Sequence, residues 1–257
     1  MNAIRLAVVS DLHLEFRNAL SCDTAELGLA GTADILIVPG DIAIGTDAIA
    51  WCERSPIPVV FVPGNHEYYG REMSSTRDEM RVFARPFPHV HLLDPGVVEF
   101  NIRERHVRVI GTTLWTDYRL LGEKQRVRAM EDASRGLNDY RIIGFGAGQW
   151  RPEDAAAEFD RTRAFITAEL DRAFAGLTVV ATHHAPSGRV VHPRYQGDQL
   201  TPAFASDLDG LVSRSDVWVY GHTHSNIEIE IGQCRVISNQ RGYRGENPQW
   251  APRIYEF

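Results

Sequence analysis

The residues of this chain that could do chemistry are histidines and acids standing at the ends of apolar runs. Residues 221–224 read "GHTH", directly after "DVWVY" (216–220). On an extended strand residues i and i+2 share a face, so His222 and His224 are expected to aim at one place. The pattern recurs. "IRLAVVSDLH" (4–13) runs into Asp11 and His13, and "ADILIVPGD" (33–41) ends at Asp41. "PVVFVPGNHE" (58–67) ends at Asn65 and His66, and "LTVVATHH" (177–184) at His183 and His184. A carboxylate that follows a buried strand is costly unless an opposite charge meets it, and a metal cation supplies that charge. Nitrogen and oxygen donors without cysteine suit Zn, Mn or Fe better than Ca, and they exclude an all-sulfur structural site. Two carboxylates, four imidazoles and one amide exceed what one ion takes while keeping open positions. Two ions sharing an aspartate are therefore expected.

Such a cluster needs elements that bring strand ends together. Further apolar runs are "HVRVIGTTLW" (106–115), "DVWVYGHTH" (216–224), "IEIEIGQCRVISN" (227–239) and "RIYEF" (253–257). Near-continuous Val, Ile and Leu over four to six residues predicts strands covered on both faces. The alternation within 227–239 predicts a hairpin with one wetter face. Residues 151–176 read as a helix: Pro152 fits the first turn, acids follow, Phe159, Ile166, Leu170 and Phe174 form a stripe, and Gly176 offers a stop. The alternation of strands and helices predicts an α/β fold, a two-sheet β-sandwich flanked by helices, as a single domain over 1–257. Residues 116–150 are the least regular part and are expected to form a cap near the site. There Trp115, Asp117, Tyr118, Asn138, Asp139 and Tyr140 are candidates for substrate contact, although Trp115 and Tyr140 would serve equally to pin the segment to the core. "RGYRGENPQW" (241–250) reads as a surface loop or as a wall of the cleft. The glycines before Asp41, Asn65 and His222 are expected to permit sharp turns.

In order along the chain, "DLH" (11–13), "GD" (40–41), "GNHE" (64–67), "HH" (183–184) and "GHTH" (221–224) resemble the motif blocks of the calcineurin-like metallophosphoesterases. The ordered set spans residues 11–224. The resemblance implies a four-layer αββα sandwich with a binuclear site at one end. It implies that Asp11, His13 and His224 bind the first metal, that Asn65, His183 and His222 bind the second, and that Asp41 bridges them. It also implies that His66 is a non-ligand histidine that contacts the phosphate and assists the leaving group. The "HH" followed by "AP", together with "GHTH", is similar to bacterial phosphodiesterases of the cyclic-nucleotide type.

Taken singly, these residues have plainer readings. Asp11 or Asp41 could cap a helix, and Asn65 could be a turn residue; joint occurrence is what carries the metal site. Neighbours on a strand point to opposite faces, so His184 either packs behind the site or contacts substrate in a different way from His183. His89, His91, His106 and His192 read as structural or exposed. The reaction expected is hydrolysis of a small-molecule phosphoester, a diester before a monoester, with a nuclease or a non-catalytic scaffold as alternatives. A formal net charge of −7 speaks against a broad basic face for nucleic acid or anionic lipid. No run of about 18 apolar residues predicts a membrane span. The start lacks the apolar core of a signal peptide, and Cys22, Cys52 and Cys234 read as reduced thiols. The expected location is the cytoplasm, and the sequence does not fix an oligomeric state.

Overall fold

The structure is a computed structural model that describes residues 3–16 and 22–257. The apolar runs become the parallel interiors of two sheets. In the first, β1 (Arg5–Val8), β2 (Ile35–Pro39), β3 (Val59–Val62) and β4 (Val90–Leu92) lie side by side and parallel. The terminal strand β13 (Arg253–Glu256) pairs antiparallel with β1 and completes the edge. In the second sheet β6 (Arg105–Thr112), β9 (Leu177–Thr182), β10 (Val217–Tyr220) and β12 (Cys234–Ile237) are parallel. Its edges are antiparallel: β5 (Gly96–Ile102) beside β6, and β11 (Ile229–Ile231) beside β12.

The period of two along each strand sorts its side chains into layers. Leu6, Val8, Ile35, Ile37, Val60 and Val62 face inward and meet Val107, Val109, Val179, Ala181, Val217 and Val219 of the other sheet. The alternate residues face out. Leu36, Val38 and Phe61 pack under α1 (Thr46–Glu53) and α2 (Met73–Ala84) through Ile49, Cys52, Met73 and Met80. Ile110, Val180, Trp218 and Val236 pack under Phe159 and Ile166 of the long helix over Pro152–Asp171 and under Val212 of the short one over Asp209–Val212. The result is helix, sheet, sheet, helix, as the fold reading anticipates. Among the described residues no helix is long and apolar enough to cross a membrane.

Three differences from the sequence reading have physical causes. The long helix ends at Asp171, short of Gly176, because the Arg108 guanidinium of β6 donates to the carbonyls of Glu169 and Arg172 and so satisfies the last turn. Phe174 therefore leaves the apolar stripe and lies under Arg108. Strands β4 and β5 escape notice because one has three residues and the other is only partly buried. Residues 116–150 are also more regular than expected. They form α3 (Arg126–Gly136), α4 (Asp139–Ile142) and a small hairpin of β7 (Gly144–Phe145) with β8 (Gly148–Gln149), which makes the long and short helices above α5 and α6. Only Ala129, Met130 and Ala133 of α3 are buried, too narrow a stripe to announce a helix.

The layer between the sheets holds the strand ends in register. Ile37→Ala, at a position with no solvent exposure, is expected to lower unfolding free energy by about 2–5 kcal/mol in urea titrations followed by circular dichroism.

Candidate metal centre

Asp11, His13, Asp41, Asn65, His66, His183, His222 and His224 all lie just beyond the carboxyl ends of parallel strands: β1, β2 and β3 in one sheet, β9 and β10 in the other. The two sheets deliver them to one place. His13 Nε2 lies 3.0 Å from His224 Nε2, which is 3.5 Å from Asp11 Oδ1. His183 Nε2 lies 2.9 Å from Asn65 Oδ1, 3.1 Å from His222 Nδ1 and 3.4 Å from Asp41 Oδ1. The other oxygen of Asp41 is 3.9 Å from His13 Nε2, so this carboxylate stands between the two groups. Asp11, His13 and His224 form one cluster able to hold an ion, and Asp41, His183 and His222 another; His13, Asp41 and His66 form a third that overlaps both.

The donors of these side chains are spent behind the centre. His183 Nδ1 donates to Pro39 O at 2.8 Å, His224 Nδ1 to Glu246 at 2.6 Å, and His13 Nδ1 to Glu15 at 3.3 Å. Asn65 Nδ2 donates to Asp139 Oδ1 at 2.8 Å. What remains at the front is a set of acceptors pointing at one another: Asn65 Oδ1, the Asp41 carboxylate and the free ring nitrogens. Asp41 Oδ2 is buried without a hydrogen-bond partner. Acceptors packed at such distances repel unless a cation lies among them, so the donor set fits bound metal.

Backbone and charge tell the same story. Asp11, His13, Asp41, His222 and His224 all have φ between 49° and 70°, five of the ten non-glycine residues with positive φ among those described. Each such conformation costs of order 1–3 kcal/mol and persists where surrounding structure demands it. Burial works against the charge of Asp41, yet the imidazoles of His183, His66 and His13 hold its carboxyl well below the usual carboxylate range. Burial and the neighbouring His184 and His183 push His222 far below the usual imidazole range, leaving a neutral ring with a lone pair. For His224 burial is outweighed by Asp11 and Glu246, which lift it to about 10, and for His183 by Asp41, which lifts it to about 9. Without a cation these two rings take up a proton that a bound metal would have to displace before their lone pairs face the centre.

Several positions depart from the sequence reading. "GHTH" is not extended: β10 stops at Tyr220, and left-handed backbone at His222 and His224 sends the rings to two clusters instead of one shared face. Gly40 does make a turn at φ +85, whereas Gly64 has no such φ. Its requirement is close approach, since a Cβ there would overlap the Asp41 carboxylate. His184 is fully buried between Trp115 and His222, with ring centroids at 5.0 and 4.2 Å, and burial with His183 lowers it to about 3. It packs behind His222 and does not face the cleft.

A cavity of about 840 Å3 opens over Asp41, Asn65, His66, His222 and His224. Of the six candidates in or beside the 116–150 segment, Asn138 and Asp139 line it, together with Tyr243, Glu246 and Asn247 of the 241–250 loop. Asp117 and Tyr118 do not. Asp117 accepts from the Arg119 backbone at 3.0 Å, and Tyr118 is buried with its hydroxyl on that of Tyr140, because this stretch anchors the segment to the core. Trp115 likewise packs on Trp150. His89, His91 and His106 lie away from the centre, and His192 is exposed on the cavity wall.

The sequence reading missed the acids that support the ligands. Glu67, the last residue of "GNHE", is fully buried and accepts from the backbone N–H groups of Asp41, Ile42 and Gly64 at 3.0, 2.8 and 2.6 Å. It ties the ends of β2 and β3 together, and burial with Asp41 nearby raises its carboxyl to about 7. Glu15 accepts from both His13 and His66 Nδ1, the latter at 2.7 Å. Its place two residues after His13 was the available signal. Glu246 had none.

The family model for calcineurin-like phosphoesterase matches residues 4–226. An uncharacterized protein of Acanthamoeba polyphaga mimivirus is 25% identical over 97% of this chain and 95% of its own length. Among solved structures, phosphopantetheinyl hydrolase from Mycobacterium tuberculosis superposes with a TM-score of 0.71 at 20% identity, over 98% of this chain and 96% of that one. A dimetal phosphatase from Danio rerio gives 0.57 at 13% identity, over 99% and 92%. At these identities the likeness is one of fold.

Gly64→Ala forces a methyl group into the Asp41 carboxylate, which stands between the two clusters. The variant is expected to fold with lowered stability and to retain less than half the bound metal of the unsubstituted chain, as read by elemental analysis after gel filtration.

Proposed function

Because the chain belongs to the calcineurin-like phosphoesterase family, we propose that it hydrolyses a small phosphodiester at the centre described above. Hydrolysis of phosphoesters at a metal centre is the family's reaction; the diester and the residue roles are our reading. The observation that carries it is the set of overlapping His and Asp clusters, in which Asp41 lies within reach of both His13 and His183. Asp11, His13 and His224 would hold one cation and Asn65, His183 and His222 the other, with Asp41 shared. Cations bound there polarise phosphoryl oxygens and acidify water, and Mn, Fe and Zn all suit these donors.

The chain's own groups do the rest. His66 has its Nδ1 held by Glu15 at 2.7 Å, which leaves Nε2 facing the cavity 3.3 Å from the Tyr243 hydroxyl. Burial opposes protonation of His66, but Asp41 and Glu15 raise it above the usual imidazole value. A proton on Nε2 is thus available to a departing oxygen. The Tyr243 ring, with its centroid 4.6 Å from those of both His13 and His224, forms a wall beside that oxygen. Phe204 stacks on His222 at 4.7 Å and forms another.

The charge of the cavity favours a diester. Its lining holds one arginine, Arg194, against Asp41, Asp139, Asp198 and Glu246. A dianionic monoester or a polyanionic nucleic acid would meet little positive charge beyond the centre itself, whereas a diester carries a single charge. Leu137, Val191, Leu200, Phe204 and Ile227 offer apolar surface for the groups on either side of the phosphate. The free thiols of Cys22, Cys52 and Cys234 support a reducing compartment, the cytoplasm.

Metal-loaded protein is expected to turn over bis(p-nitrophenyl) phosphate faster than p-nitrophenyl phosphate, and chelation should abolish both activities. A tenfold advantage for the monoester would reverse the assignment. His66→Ala is expected to keep about two metal equivalents while kcat falls roughly 10²–10⁴-fold. Asp41→Ala should lose metal and activity together, and full retention of both would remove Asp41 from its bridging place.

A further inference from the structure

Asn65 is the one amide in the ligand set, and an amide can present either of two ends. Its Nδ2 donates to Asp139 Oδ1 at 2.8 Å and to the Tyr69 hydroxyl at 3.1 Å, and that hydroxyl itself donates to the same Asp139 oxygen at 2.6 Å. Asp139 comes from α4, 74 residues away in sequence, and is only 3% exposed. A carboxylate only accepts, so it admits the NH2 end of Asn65 and refuses the oxygen. The oxygen is then the end turned to the centre, 2.9 Å from His183 Nε2. A charged acceptor on the NH2 group also draws electron density toward Oδ1, as a carboxylate behind a metal-bound histidine does.

We propose that Asp139 is a positioning residue for the second metal. It locks Asn65 in its ligating orientation and strengthens the amide as a donor, with Tyr69 completing the triangle. This rests on the reading of Asn65 as a ligand. It gives the 116–150 segment a task beyond shaping the cavity, because the segment that covers the substrate space also sets the chemistry of the floor.

The test is calorimetric titration of Mn(II) into the metal-stripped chain and into Asp139→Ala, Asp139→Asn and Tyr69→Phe, with paramagnetic resonance of the loaded forms. In the unsubstituted chain two equivalents should bind and give a spin-coupled manganese pair. Asp139→Ala is expected to weaken one equivalent roughly 10–100-fold and leave the other within threefold, with loss of the coupled signal. Asp139→Asn, which keeps the shape but lets either amide end face Asn65, should weaken the same equivalent at least fivefold and decides the matter if the alanine variant does not fold. Tyr69→Phe should have the smallest effect of the three. Two equivalents within twofold of the unsubstituted affinities in a folded Asp139→Asn variant would overturn the proposal while leaving the two-metal reading intact. Fewer than two equivalents in the unsubstituted chain would overturn that reading, and this inference with it.

Discussion

The structure is organised around a repulsion. At the junction of the two sheets, Asp41, Asn65 and the ring nitrogens of His13, His183, His222 and His224 turn lone pairs toward one another at 2.9–3.9 Å. Most of the protons that could relieve this are committed elsewhere: to Pro39 O, Glu15, Glu246 and Asp139. An arrangement of this kind is unfavourable for the polypeptide alone and becomes favourable around cations, because each acceptor then gains a partner of opposite charge. Left-handed backbone at four of these positions, and at Asp11 beside them, adds to the cost. Fold stability and metal binding are therefore coupled, and the rigid layers of Val and Ile between the sheets supply the framework that holds the strained ends in place.

Two sheets are needed because no single strand end could present so many ligands. Parallel neighbours β1, β2 and β3 contribute Asp11, His13, Asp41 and Asn65, while β9 and β10 contribute His183, His222 and His224. The halves meet where backbone comes close. A Cβ on Gly40 would lie 2.6 Å from His183 Nδ1, across the boundary between the sheets. Glu67 performs the corresponding task within the first sheet by collecting three backbone N–H groups from the ends of β2 and β3. The acids around the centre thus divide into those that face metal and those that fix the backbone and imidazoles from behind.

The frame and the side chains that converge at the centre were legible in the sequence, since both leave periodic or local marks. Apolar runs of four to six residues ending in Asp, Asn or His identify β1, β2, β3, β9 and β10, and the ordered motif blocks identify the side chains that converge. What was not legible depends on contacts distant in sequence. Asp117 and Tyr118 looked like cleft residues because they are polar and lie in the 116–150 segment, yet packing against Tyr140 and pairing with Arg119 turn them away from the cavity. His184 looked ambiguous because the rule of alternate faces does not hold once β9 ends at Thr182. Glu246 reaches His224 from a loop 22 residues on, and no local pattern announces it. The extended geometry first read into "GHTH" failed for a related reason: a glycine after a strand marks where the strand stops being a strand.

The unequal legibility reflects a division of labour. The residues at the strand ends are constrained by each other at atomic distances, so their sequence is compressed into short motifs. The walls of the cavity come from four connections, within 116–150, 191–204, 225–227 and 241–250. Asn65 is where the two regimes touch, because its oxygen belongs to the frame and its NH2 group to Asp139 of the cap. A neutral ligand is the weakest member of such a set and gains most from outside support. Under the role proposed for Asp139, the wall and the floor of the cavity become parts of one hydrogen-bonded unit. A change in the cap that moved α4 would then alter the electrophilicity of the centre as well as the space above it.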